Sequence, residues 1–347
     1  MNIWPGSYIP KILNRGGKDY NIAVIALLAL SLTIAAGLSI ALGSARLTPA
    51  EMLEALSGKD LTSSAYQIVR FVRLPRTLAA ILAGCGLSVS GLVLQAVLNN
   101  SLAGPSVIGV NSGAGLFTVL MAAFFPGTLQ FAPAAAFVGA LTAALLVYFI
   151  AQKTGASRMA IVLSGTAVSS FIGAITDTVL TVKPDTAISR TEFLIGGLSG
   201  IVLQQVKIPS LIILTSIFAL ILLGYDMNVL ALGDETAKSL GMKVPLYRFL
   251  FLALAALLAG SAVSFAGLIG FVGLIIPHAA RFLVGYDNRV LVPVCALLGG
   301  VFSLFCDILS RTLFAPYEVP VGIIMSFLGG PFFVVLLLRQ KRGRLYD

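Results

Sequence analysis

Between Arg76 and Lys153 lie 76 consecutive residues without one Asp, Glu, Lys or Arg. A helix needs about 20 apolar residues to cross a bilayer, so this run is too long for two spans and fits three with short turns. Turn-forming residues fall where those turns are needed: Asn99-Asn100-Ser101 with Gly104-Pro105, then Pro126-Gly127 and Pro133. The rest of the chain is built alike. Charged residues make up 11% of its 347 positions and the mean hydropathy is +0.99, against about 25% charged in soluble chains. A charged shell cannot be made from so few, and disorder needs a polar chain. Further spans are expected within 21–45, 159–182, 208–225, 290–306 and 319–338, with a span and a return inside 249–280. Glycines divide the 246–284 stretch into two short helices rather than one long one. The sequence predicts an all-α integral membrane protein with ten spans over residues 21–338.

Residues 1–20 are polar and basic, and no small-residue cleavage site follows the first apolar run, which reads as a retained anchor. Ten spans put both ends on one side. That side, including the basic tail 339–347, takes 14 of the 23 Lys and Arg residues, which predicts cytoplasmic termini. Five of the other nine, Arg46, Lys59, Arg70, Arg73 and Arg76, crowd into one external segment. Either Glu51, Glu54 and Asp60 offset them there, or a basic external face meets an acidic partner.

Enzymatic chemistry finds little support. Cys85, Cys295 and Cys306 lack metal-ligand spacing and read as buried small hydrophobes. His278, the sole histidine, has no acid within a helical turn and reads as a helix-end residue. No G-x-x-x-x-G-K-[ST] loop occurs, so ATP is not bound in that way. No nucleophile–base pair or metal cluster is visible, and no cofactor is expected on this chain. Gly109 with Gly113, Gly196 with Gly200, and Gly267, Gly270 and Gly273 have the spacing of close helix packing. Asp177 is the one acid deep inside an expected span, where a charge costs roughly 2.5–3.5 kcal/mol. It must face protein or a wet cavity, as a packing residue or as part of a permeation path.

The longest hydrophilic interruption, 226–248, holds Asp234, Glu235 and Lys238 between Gly233 and Gly241. This predicts a short amphipathic cytoplasmic helix. It serves either as an ordinary connector or as a knob for a soluble partner.

Several ordered motifs now accumulate: Arg73-Leu-Pro-Arg-Thr-Leu78, Ser90-Gly-Leu-Val-Leu-Gln95, Leu102-Ala-Gly-Pro105 with Gly109, the 230–242 segment, Gly270-Phe-Val-Gly-Leu-Ile-Ile-Pro-His278 with Arg281, Asp307 with Arg311, and Val319-Pro-Val-Gly322 with Gly330-Pro-Phe-Phe333. Over about 46–339 the chain resembles the FecCD-type permeases of ATP-binding-cassette importers, which carry iron–siderophores, haem or cobalamin. The resemblance implies a homodimer in membrane lipid, in the cytoplasmic membrane of a bacterium or archaeon. Two cytoplasmic ATPase subunits, holding the ATP and Mg, would dock on the knob through Leu232, Gly233, Asp234, Glu235, Ala237, Lys238, Leu240 and Gly241. An external substrate-binding protein would pair its acids with Arg73, Arg76 and Arg311. The path would narrow near Asn100, Leu102, Ala156 and Ser157, and the span carrying Asp177 would line it. No nucleic acid is implied. Two departures stand out: Ser101 replaces the family's usual proline, which predicts a less rigid turn, and Asn99 replaces a frequent arginine. The alternative reading is an ion-coupled secondary transporter with midplane sites on broken helices, using Asn111 and Asp177.

Overall fold

The computed structural model describes residues 17–43, 45, 47–57, 60–154 and 157–343. Most of the expected N-terminal segment 1–20, the end of the basic tail, and Arg46, Lys59 and Ala156 lie outside them. All regular structure among the described residues is helical: α1 Lys18–Ala41, α2 Pro49–Ser57, α3 Ser64–Leu98, α4 Val110–Phe124, α5 Ala132–Lys153, α6 Arg158–Val182, α7 Ala187–Ile195, α8 Leu203–Leu222, α9 Gly224–Ala231, α10 Asp234–Ser239, α11 Val244–Ala266, α12 Val272–Val284, α13 Asn288–Thr312 and α14 Val321–Gly343. Seven of these are long and apolar enough to cross a membrane, and α4, α12 and the apolar part of α14 are shorter apolar helices.

The division of 246–284 falls as the glycines suggested, between α11 and α12. Other boundaries move. Helix α3 begins at Ser64 and passes through a π-helical stretch, Ile68–Arg73, so Arg70, Arg73 and Arg76 sit on a helix and not in a loop. Helix α13 runs to Thr312 and carries Asp307 and Arg311 inside it.

Helix α3 is the hub. It is apolar on all sides, as befits a helix surrounded by protein, and packs against α11, α12 and α13. By contrast α1 is peripheral, with Ile22, Leu27, Leu30 and Ile34 exposed. Close approach around the hub depends on glycine. A Cβ on Gly84 would strike the Gly299 carbonyl of α13, and one on Gly91 would strike Gly273 of α12. Serines bind across the same seams: Ser88 Oγ donates to the Cys295 carbonyl at 2.8 Å and Ser90 Oγ to that of Ala255 at 2.8 Å. Cys295 and Cys306 are buried and Cys85 half-buried, all as free thiols. Of the glycines spaced for packing, Gly113 meets Gly139 and Gly273 meets Gly91, whereas Gly196 and Gly200 lie in a non-helical connection.

Irregular backbone inside lipid survives only where protein satisfies its polar groups. The α7–α8 connection buries Leu198 and Ile201 and is bonded on both flanks. Gly197 N–H donates to Ala266 O at 2.9 Å, Leu268 N–H to Phe193 O at 2.8 Å and Gly322 N–H to Gly196 O at 3.3 Å. Within α12, Pro277 has no N–H for the Gly273 carbonyl four residues back. Gln95 Nε2 supplies the missing donor at 3.2 Å, while its Oε1 accepts from Arg281 Nη1 at 2.6 Å. His278 Nδ1 makes a 2.9 Å bond with Leu274 O in the middle of α12, a structural role but not the helix-end position expected for it.

The seam predicts an asymmetry. Gly91→Val should lower stability by at least about 1–3 kcal/mol through overpacking. Gly37→Ala in α1, where nothing lies within 4 Å, should be neutral or raise it by up to about 1 kcal/mol. Melting of the detergent-solubilised variants reads both.

Candidate docking and permeation sites

The hydrophilic 226–248 segment folds as two short helices. Helix α9 is tied to the start of α13: Asn228 Nδ2 donates to Asp287 Oδ1 at 2.8 Å, and Asn288 N–H donates to Asn228 Oδ1 at 2.9 Å. Burial pushes the Asp287 carboxyl up, but hydrogen bonds from Arg289 and Asn228 outweigh it and hold the group below the usual carboxylate range. Helix α10 follows, flanked by Gly233 at φ +110 and Gly241 at φ +83. Both are left-handed positions that favour glycine. Ala237 anchors α10 in the core, and Leu232 and Leu240 stand 64% and 62% exposed at its two ends. Glu235 and Lys238 are also exposed. Asp234 is bound on its other side: Arg248 Nη2 reaches both carboxylate oxygens at 2.6 and 2.7 Å, and Arg158 Nη2 lies 3.3 Å away.

Beside α10 an open groove of about 510 Å³ is lined by Ser157, Arg158, Met159 and residues 232–236. Ser157, expected at the gate, also caps α6 by accepting from Ala160 N–H at 3.0 Å. Asn100 and Leu102 do not line the groove. They occupy the α3–α4 turn, where both are exposed. Asn99 takes a left-handed φ of 46, a conformation asparagine tolerates better than most residues. Asn100 Oδ1 accepts from Leu102 N–H at 2.9 Å and its carbonyl from Ala103 N–H at 3.0 Å. The turn is therefore fixed by asparagine where proline was expected to stiffen it. Ala156 lies outside the described residues.

At the opposite end, Asp177 is five residues from the end of α6, about 7.5 Å along the axis. It is 65% exposed and paired with Arg190 Nη1 of α7 at 2.9 Å. Its expected position deep in the span is thus corrected to one near the helix end.

The fully buried acid is Asp307 of α13, which the sequence reading placed beyond the end of a span. Arg76 Nε donates to its Oδ1 at 2.9 Å. Arg311 Nη2 lies 2.9 Å from Oδ2, off the hydrogen-bond direction, so charge alone holds that oxygen. Arg76 also binds Glu318 at 2.5 Å. Arg73 donates to the carbonyls of Ile40, Ala41 and Ala45, and Arg311 to those of Ser39 and Leu42. Two arginines from different helices thereby satisfy the orphan carbonyls at the C-terminus of α1. Arg73, Arg76 and Arg311 are 3%, 5% and 2% exposed. As docking residues they were expected on the external surface; here all three side chains turn inward and are engaged by groups of this chain. Arg70, one position off this face, remains exposed.

The model of the FecCD transport family matches residues 29–339. The chain belongs to that family. It is 37% identical over 328 residues to the Iron(3+)-hydroxamate import system permease protein FhuB of Bacillus subtilis, covering 92% of this chain and 85% of that one. To the Cobalamin import system permease protein BtuC of Halobacterium salinarum it is 40% identical over 275 residues, 79% of this chain and 74% of the other. Among solved structures, an inward-facing ABC transporter chain of metal-chelate type superposes with a TM-score of 0.81 at 29% identity, over 92% of this chain and 99% of that one. This FecCD chain is accordingly a multi-pass membrane permease subunit of the ATP-binding-cassette importer class. Its Gln95 and Arg281 come from two separate motifs that the fold brings into contact.

Two expectations follow. Arg76→Ala leaves Asp307 buried with one partner fewer and should cost about 3–5 kcal/mol, whereas Arg70→Ala should change stability by less than about 0.5 kcal/mol; melting in detergent separates them. The contribution of Asp287, whose native carboxyl titrates low, is present above its unfolded pKa of about 3.9 and lost as pH falls through the native value. Asp287→Asn should therefore flatten the acid limb of a melting-temperature profile against pH.

Proposed function

We propose that two copies of this chain enclose the path of an importer for an iron chelate, driven by two separate cytoplasmic ATPase subunits that hold ATP and Mg. The observation that carries this reading is α10. It is a charged helix outside the spans whose flanking Leu232 and Leu240 are exposed, while Ala237 and Asp234 root it in the bundle. Exposed leucines on a water-facing helix suit a soluble protein partner. ATP-driven closure of that partner would shift α10 and alternate the access of the path.

The path itself is best placed along the face of α6 that exposes Thr166, Ser170, Asp177 and Thr181. The threonines return their protons to carbonyls four residues back and tolerate lipid. The Asp177–Arg190 pair suits water or a second copy of the chain better. Asn100, Leu102, Ala156 and Ser157 would form the cytoplasmic narrowing, with both termini on that side. Outside, a binding protein would meet cations that stay exposed among the described residues, Arg70, Lys183 and Lys207, in place of the three buried arginines. The near-full-length likeness to an iron–hydroxamate permease favours an iron–siderophore cargo, with haem and cobalamin as the competing results of a cargo test. An ion-coupled carrier needs an acid free to bind an ion, whereas Asp177 is paired with Arg190 and Asp307 lies between Arg76 and Arg311.

Affinity capture from solubilised native membranes should bring down an ATPase, and Leu232→Glu with Leu240→Glu should abolish that capture and uptake together. A permease that supports uptake yet repeatedly purifies without an ATPase would overturn the reading. Arg70→Glu with Lys183→Glu should weaken binding-protein docking, more at low salt than at high, and leave ATPase capture intact.

A further inference from the structure

Asp234 is the one charged group of α10 with ion pairs to two different spans among the described residues. Its partners are unequal. Arg248, in the second turn of α11, is 4% exposed at its side chain and grips both oxygens at 2.6 and 2.7 Å. Arg158, the first residue of α6, is 25% exposed and reaches one oxygen at 3.3 Å. Its other contact here is a 3.5 Å approach to Leu230 O. A cation at the first position of a helix opposes the helix dipole, and the neighbouring Arg248 repels it as well. Helix stability therefore does not explain Arg158 at this position; the Asp234 carboxylate does.

The backbone links of α10 on both sides pass through glycines at positive φ, so its hold on the spans rests on Ala237 and on this clamp. We infer that Asp234 is a positioning residue with one permanent and one breakable arm. Arg248 fixes α10 to α11, and Arg158 engages and releases as α10 moves, carrying that movement into α6, the helix whose exposed face we assign to the path. This rests on the proposed function, since it presumes that a partner moves α10. Both arms converge on a single carboxylate, so a displacement of α10 is shared between two spans and is not absorbed in the connector.

The test uses the full permease with its captured ATPase and binding protein in proteoliposomes, and the permease alone. In Arg158→Gln the cargo taken up per ATP hydrolysed by the captured complex should fall about fivefold or more. Arg158→Lys, which keeps the charge, should restore most of it. In the permease alone, hydrogen exchange of amides 235–241 should stay within about twofold of wild type in Arg158→Gln and accelerate about tenfold in Arg248→Gln. Unchanged uptake per ATP in Arg158→Gln would overturn the inference, as would equal acceleration by the two substitutions. Failure of the wild type to capture any ATPase would instead overturn the proposed function, and the exchange comparison would still decide whether the two arms differ.

Discussion

Lipid offers no hydrogen bonds, so every break in a spanning helix must find its partner within the protein. This constraint organises the middle of the molecule. Pro277, having no N–H, orphans the Gly273 carbonyl, and Gln95 of the central helix answers it. That answer requires α12 to lie against α3, which Gly91 permits by having no Cβ. The same amide then orients Arg281, whose guanidinium would otherwise lose a partner. On the opposite side, the non-helical 196–202 connection is admissible because the ends of α7, α11 and α14 lend it backbone donors and acceptors. Short helices α4 and α12 are thus not failed spans. They are short apolar helices whose flanking chain is irregular and housed by neighbours.

Charge is used differently from backbone polarity. Burying Asp307 with Arg76 and Arg311 gains little net energy over an apolar packing of the same volume, so its value lies in geometry. Three arginines, each a fork of donors, reach carbonyls and carboxylates on α1, α13 and the connection after α13. An otherwise peripheral, lipid-facing α1 is fixed to the bundle at its C-terminal end by these contacts. Lysine also has three donors, but on one compact ammonium and without the planar fork that spreads arginine's donors over separate carbonyls and carboxylates.

Ten apolar helices, their breaks, and the glycine-bracketed α10 were legible because hydropathy and turn residues act locally. The fate of the arginines was not. A run such as Arg70, Arg73 and Arg76 has the same composition whether it faces water or a buried acid, and the span containing Asp307 is cut short by any count that stops at charges. The spacing did hold a signal. Asp307 and Arg311 are four apart, as are helical ion pairs, and Arg73 and Arg76 are three apart, although Arg70 stands at the same spacing before Arg73 and still ends up exposed. Reading these as a continuation of the helices would have placed both sets inside. Asp177 misled in the opposite direction although its span was bounded correctly: it lies five residues from the end of both the expected span and α6, near enough to that end for Arg190 to reach it.

The two ends of the bundle are held to different degrees. One end is closed by an ion cluster nearly without solvent exposure, with the last carbonyls of α1 fully engaged. The other carries α10 on two glycines, one buried alanine and a carboxylate that is 34% exposed. Water competes for exposed ion pairs and weakens them, so contacts at this second end open at lower free energy than those of the buried cluster. A force applied to α10 therefore meets its least resistance where it is applied. The long helices α6 and α11 begin at that end, so the proposed clamp would act on their first turns, at the end of the bundle away from the arginine cluster.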